Sequence, residues 1–213
     1  MKHIHPLQPI AVIVLAAILW YMKKKSAPAA KPGPGGGEPR AASSQGAPRV
    51  PKASRTPEEV YMSLRDAALQ KAPEQLFLPD GLKPQEPYGA LMEMAIPNDV
   101  ITLACFADGD AGVYYKTGGG MKGGGSHENV RRAAKQFVAL SHKALLRMTM
   151  TDDHPLPEAE KVRFYVLTPK GTFTTEAHRQ TLGGVENELS ALFYGGQEVV
   201  AQMRQVQEEK ATG

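Results

Sequence analysis

The stretch that most limits what this chain can fold into is LQPIAVIVLAAILWYM, residues 7–22, followed at once by Lys23, Lys24 and Lys25. Ile10 to Met22 is apolar without a break and closes on Trp20 and Tyr21. A segment that is apolar all round has no water-facing side, so it belongs in a core or in lipid. An aromatic pair beside a lysine cluster suits a membrane–water interface. As a helix, residues 7–22 span roughly 24 Å against a hydrocarbon core of about 30 Å. Snorkelling lysines and local thinning close that gap. The expectation is one uncleaved transmembrane helix. A cleaved signal peptide is the alternative, with SAPAA (26–30) as an imitation of a cleavage site. Against it, Lys23–Lys25 stand where a cleavage region should be.

Lys23–Lys25, Lys31, Arg40, Arg49, Lys52 and Arg55 all follow the span, and only Lys2 precedes it. The positive-inside bias then places the N-terminus outside and the remainder in the cytoplasm, at an inner or plasma membrane.

Residues 26–55 are dominated by proline, glycine, alanine and serine. Such a segment buries too little apolar surface to offset its ordering entropy, and a disordered tether is expected. Its basic residues either stay near anionic headgroups or serve only solubility. Residues 1–55 hold nine Lys/Arg and one Glu, whereas residues 56–213 hold the remaining 16 Lys/Arg and 21 acidic residues. The net charge of +3 therefore divides into +8 and −5. A domain that binds nucleic acid concentrates positive charge on its folded part, so DNA and RNA are not expected partners.

The fold is expected to begin at Thr56, where TPEE supplies an N-cap, a proline in the first turn and Glu59 for a capping box. A first helix runs toward Pro73, with Val60, Leu64 and Ala67/Ala68 repeating at helical spacing as its apolar stripe, and PEQLFLPDGLKPQEPY (73–88) reads as a loop. Strands are expected at 90–96, with a short helix over 90–95 as the alternative, and at 100–107, 112–117, 162–168 and 172–177. Residues 100–107 (VITLACFA) are apolar on both alternations, as in a central strand covered on both faces. A helix is expected over 128–148, with Val130, Ala134, Phe137, Ser141, Ala144 and Met148 as its inner stripe, and another over 188–209. This order indicates an α+β domain over 56–213, with an antiparallel sheet of about five strands packed by helices.

A strand run with short turns, a long helix, a second strand pair and a closing helix resemble the roadblock/longin group, with its profilin-like sheet, over residues 100–208. The resemblance implies a dimerising platform for protein partners, with a homodimer allowed, and no catalytic residue. The segment YYKTGGGMKGGGSHENVRRA is also similar to stretches of uncharacterised bacterial proteins, which implies no activity.

That glycine run is the one candidate site. Gly118, Gly119, Gly120, Gly123, Gly124 and Gly125 would let backbone N–H groups approach an anion at a helix start, with Ser126 as the helix cap and Lys122, Arg131 and Arg132 adding charge. The Walker pattern fails, because GSH stands where GK[ST] is required. The dinucleotide pattern lacks its parallel βαβ context. The competing reading is architectural: glycine where the backbone takes positive φ or packs closely.

The other signals are weaker. His127-Glu128 lacks the second histidine of HExxH, because Arg131 stands there. Asp152, Asp153 and His154 read as a solvated loop, and Asp108 and Asp110 as turn residues. Cys105, the single cysteine, lies in an apolar run without a nearby base and reads as a small core residue. Neither a metal nor a cofactor is expected. Gly195 and Gly196 lie inside a helix, where each costs about 1 kcal/mol relative to alanine. A closely packed neighbour is therefore expected there: the glycine run or a second copy of the chain. The leading expectation is a membrane-anchored cytoplasmic adaptor or scaffold. The alternatives are a phosphate- or nucleotide-binding domain using loop 117–132, and a periplasmic or secreted domain released by signal cleavage.

Overall fold

The structure is a computed structural model, and it describes residues 55–78, 81–184 and 186–212. The expected span at 7–22 and the expected tether at 26–55, Arg55 excepted, lie outside the described residues. Among the described residues no helix is long and apolar enough to cross a membrane. Arg55–Gly213 forms a compact unit.

Helix α1, Pro57–Leu69, starts on the expected capping box. The Thr56 backbone N–H donates to Glu59 Oε2 at 2.8 Å, and the Glu59 N–H donates to Thr56 Oγ1 at 3.2 Å. The helix stops at Leu69, short of Pro73, where Gln70 leaves the helical region. Three strands follow: β1 Gly89–Ile96, β2 Asp99–Phe106 and β3 Ala111–Tyr115. A two-residue strand, β4 Gly120–Met121, returns along β3. Helix α2 spans Glu128–Ala144 and gives way to a tight turn at Leu145–Arg147, so it ends earlier than expected. Ala144 is its last buried position, and Leu146 is 90% exposed, so nothing holds a further turn against the sheet. Strands β5 Thr149–Met150, β6 Lys161–Thr168 and β7 Gly171–His178 follow, then the short α3 Arg179–Gly184 and the long α4 Glu188–Thr212.

The expected α+β architecture is present, with seven strands where about five were expected. All neighbours pair antiparallel, in the order β4-β3-β2-β1-β6-β7-β5. The two additional strands, β4 and β5, are two residues long and lie at the edges, too short to show an alternating pattern.

Residues opposite one another across a strand pair share a face of the sheet. Val113, Leu103, Met92 and Phe164 are aligned in this way on the face covered by α2 and α4. Ala104, Leu91 and Tyr165 align on the other face and pack with Ala68 and Leu69 of α1. The result is three layers. Strand β2 is central and buried on both faces from Ile101 to Phe106, as its apolar alternation implied. Cys105 is fully buried, and burial pushes its thiol well above the ordinary range.

Gly195 and Gly196 pack within the chain against α2 and β1, and the glycine run is not among their nearest neighbours. A β carbon on Gly196 would sit 2.7 Å from Met92 and 3.1 Å from Phe137; one on Gly195 would sit 2.7 Å from Leu140. These contacts bring α4 close to α2 and β1.

Candidate functional site

Three places in the described domain combine polar chemistry with shape: the glycine corner, a buried polar row under α1, and an open cleft beside α2.

At the glycine corner, the run closes the β3–β4 hairpin. The Gly118 N–H donates to the Tyr115 carbonyl at 2.9 Å, and Gly118 and Gly119 hold φ of 101° and 92°. A β carbon on Gly120 would collide with the Val113 carbonyl oxygen. One on Gly124 would sit 2.9 Å from Val130, and one on Gly125 2.8 Å from the Gly109 carbonyl oxygen. These positions are glycine because other backbone or core atoms occupy the space.

The expected cap is corrected. His127 takes the N-cap position of α2 with no side-chain capping bond, while the Ser126 hydroxyl donates back to the Gly123 carbonyl at 3.0 Å. Ser126 sits in the preceding tight turn, Gly124–Ser126, one residue too early to cap the helix. Arg131 is paired with Glu128 and lies across Gly109. That hydrogen bond holds the Glu128 carboxyl below its ordinary value. Lys122 and Gly123 are exposed, with open space around the Gly123 α carbon. Gly118 and Gly119 instead line a small cavity of about 240 Å³ with Arg55, Pro57, Tyr61 and Tyr114.

The second place is under α1. Cross-strand register aligns Tyr114, Thr102, Glu93, Arg163 and Glu176 on one face of the sheet. Arg65 descends from α1 onto Glu93, with Nε to Oε1 at 2.6 Å and Nη2 to Oε2 at 2.9 Å. Thr102 donates to the same Glu93 oxygen at 3.0 Å, and the Tyr61 and Thr102 hydroxyls are 2.8 Å apart. Arg65 also lies over the Tyr165 ring, 5.6 Å from its centre. The Tyr165 hydroxyl donates to the Pro155 carbonyl at 2.5 Å and so pins the 151–160 loop. Arg65 and Glu93 are 2% and 0% exposed, so no substrate reaches them, and their work is to seat α1.

The third place is the cleft, of about 990 Å³, which opens between the 83–87 loop, the end of β2 at Ala107, the flank of α2 and the β6–β7 turn. Its apolar lining comes from Pro84, Pro87, Ala107, Val138 and Ala139. Its rim carries Lys83, Lys135, Lys170 and His142, all exposed, against Glu86 alone. The ammonium groups of Lys83, Lys135 and Lys170 take part in none of the ion pairs of the described residues.

Backbone bonds fix the walls. The Lys170 N–H donates to the Pro84 carbonyl at 2.8 Å, Tyr88 to Leu167 at 3.0 Å, and Ala107 to Tyr88 at 2.9 Å. The loop is thereby tied to both hairpins, and its two prolines stiffen it. A volume near 1,000 Å³ is at the upper end for ligand clefts. None of the cleft residues was singled out from sequence, because the rim is assembled from positions far apart in the chain.

Among the described residues no three His, Cys, Asp or Glu side chains are grouped to hold a metal. Asp108 makes the expected turn, accepting the Asp110 N–H at 3.0 Å. Thr151 and Asp153 bond to each other in their loop, and His154 lies against the Tyr165 ring.

No protein-family model, curated protein or solved structure matches this chain.

Proposed function

We propose that the protein is a membrane-anchored adaptor: residues 7–22 hold it in the bilayer, residues 26–55 tether it, and the three-layer domain binds a protein partner on the cytoplasmic side. The observation that carries this reading is the cleft beside α2. It is an open cleft with apolar lining, its walls are fixed by backbone hydrogen bonds, and its rim lysines have no ion-pair partner within the described domain. Preformed walls reduce the ordering cost of association, and unpaired rim charge steers an oppositely charged partner. Helices packed on an antiparallel sheet support the likeness to roadblock/longin platforms, while the strand at Gly89–Ile96 and the glycine run depart from that pattern.

The phosphate-loop reading is the weaker one. Gly120, Gly124 and Gly125 are accounted for by close packing, and Arg131 is engaged by Glu128.

The test is the native size of the full chain after gentle solubilisation of its membranes. The wild type should migrate in a complex larger than its own mass, and the variant K83E/K135E/K170E should lose that partner. Identical migration of the two would contradict the adaptor reading of this cleft.

A further inference from the structure

We infer that the cleft beside α2 takes an extended acidic peptide segment, one that carries at least two carboxylates and an apolar side chain; this rests on the adaptor reading above. The occupant is argued from charge and spacing. Residues 56–213 carry a net −5, yet among the described residues lining the cleft Lys83, Lys135, Lys170 and His142 face Glu86 alone. A cationic cleft in an acidic domain draws anions to one place and offers little to polyanions elsewhere. The chain's own first 55 residues, with nine Lys/Arg and one Glu, have the wrong sign to fill it.

Lys135 and His142 are seven residues apart on α2, so they stand about 10 Å apart along its axis. That is the span of about three residues of extended chain, at roughly 3.3 Å each. A single phosphate covers only part of such a row. The cleft also offers apolar lining beside these charges, from Pro84, Pro87, Ala107, Val138 and Ala139, which inorganic phosphate does not use. An extended chain meets all three conditions. Its carboxylates lie along the lysines, and alternate side chains turn down onto Pro84, Pro87, Ala107, Val138 and Ala139.

The experiment is selection of a displayed library of random dodecapeptides on the full chain in detergent micelles. Recovered peptides are resynthesised and measured against the wild type, K83E/K135E/K170E and the neutral variant K83Q/K135Q/K170Q. Phosphatidylcholine vesicles with and without phosphatidylserine, and inorganic phosphate, serve as competitors. All three lysines are exposed, so both variants should keep the far-ultraviolet spectrum of the wild type.

The expected result is a library enriched in Asp and Glu flanking a large apolar residue. Affinity should fall by about tenfold or more in the charge-reversed variant and by less in the neutral one. Peptides without acidic enrichment that still lose binding in the variants would overturn the ligand class and leave the cleft as a binding surface. Competition by phosphatidylserine vesicles or phosphate, without acidic peptides being recovered, would overturn it in favour of a headgroup or free anion. Binding that is equal in all three proteins would overturn both this inference and the adaptor reading.

Discussion

Arg65 and Glu93 meet through two parallel hydrogen bonds at 2.6 and 2.9 Å in the interior between α1 and the sheet, where neither side chain is more than 2% exposed. Removing one partner leaves the other charge buried and uncompensated, which costs about 3–5 kcal/mol. Arg65→Met and Glu93→Gln should each lower the unfolding free energy read from a urea titration by that amount. The double variant Arg65→Met/Glu93→Leu should recover much of the loss, because an apolar pair of similar size is tolerated in such a place. Additive losses in the double variant would show that the two residues act independently.

The same interior sets an alkaline limit on stability. Burial, and next the Glu93 carboxylate, push Tyr165 from 10.0 up to about 12; the same two causes raise Tyr61 further. Below pH 10 both tyrosines are protonated whether the chain is folded or unfolded, and nothing changes. Between 10 and 12 the unfolded chain releases protons that the folded domain retains, so unfolding is favoured as pH rises. The slope is about 1.4 kcal/mol per pH unit for each tyrosine. Urea midpoints from pH 8 to 11, read with tyrosinate absorbance, should fall above pH 10 while these two tyrosines ionise only on unfolding. A constant midpoint across that range would contradict the burial argument.

The glycines fall into ranks. Gly120→Ala should destabilise the domain by about 1–3 kcal/mol, because the new carbon meets backbone and cannot be relieved by a rotamer. Gly123→Ala should cost about 1–2 kcal/mol, the left-handed backbone alone, since its surroundings are open. In α4, Gly195→Ala meets only the tip of half-buried Leu140 and should be neutral or stabilising, by up to about 1 kcal/mol from helix propensity. Gly196→Ala meets buried Met92 and Phe137, and an overpacking cost of about 1–3 kcal/mol should exceed that gain. Thermal unfolding of the four variants checks the order.

If the glycine corner is architecture, phosphate, sulfate and nucleotides should leave the melting temperature of the full chain unchanged. A bound ligand at 100 times its Kd would add about 2.7 kcal/mol, several degrees and easily seen. A shift that disappears in Lys122→Ala, whose side chain is exposed and whose loss should not unfold the domain, would restore the anion-loop reading.

The anchor is tested by topology. A C-terminal fluorescent-protein fusion should be fluorescent in the membrane fraction, and a phosphatase fusion inactive. The intact mass should include residues 1–25. Phosphatase activity, or a mass lacking the apolar run, would contradict the cytoplasmic orientation or the uncleaved anchor.

Local features of the fold were legible because their causes are local. The Thr56–Glu59 box, the inner stripe of α2 from Val130 to Ala144, and the double-sided burial of β2 each follow from a few neighbouring residues. The seating of α1 across the sheet was not legible, although a signal existed. Glu93 stands in the centre of the apolar run ALMEMAI, but the expected α1 stripe of Val60, Leu64 and Ala67/Ala68 is corrected: Val60 and Ala67 are exposed, and Tyr61, Arg65, Ala68 and Leu69 are the buried face, because Arg65 is drawn in by Glu93. A charge in a buried strand calls for a partner, and nothing in the sequence gives its distance. The cleft was invisible for a plainer reason. Lys83, Lys135 and Lys170 are ordinary surface lysines until the sheet order brings the β1 entry and the β6–β7 turn together beside α2.

The central claim is that this domain is read through the cleft and not through its glycine corner. Site-specific photocrosslinking in living cells tests it most directly, with a benzoyl-phenylalanine placed in the full chain at Ala139 in the cleft lining, or at Lys122 in the glycine corner. The account predicts a discrete protein adduct from position 139 that disappears when K83E/K135E/K170E is added, and none from position 122. An adduct from 122 and none from 139 would contradict it.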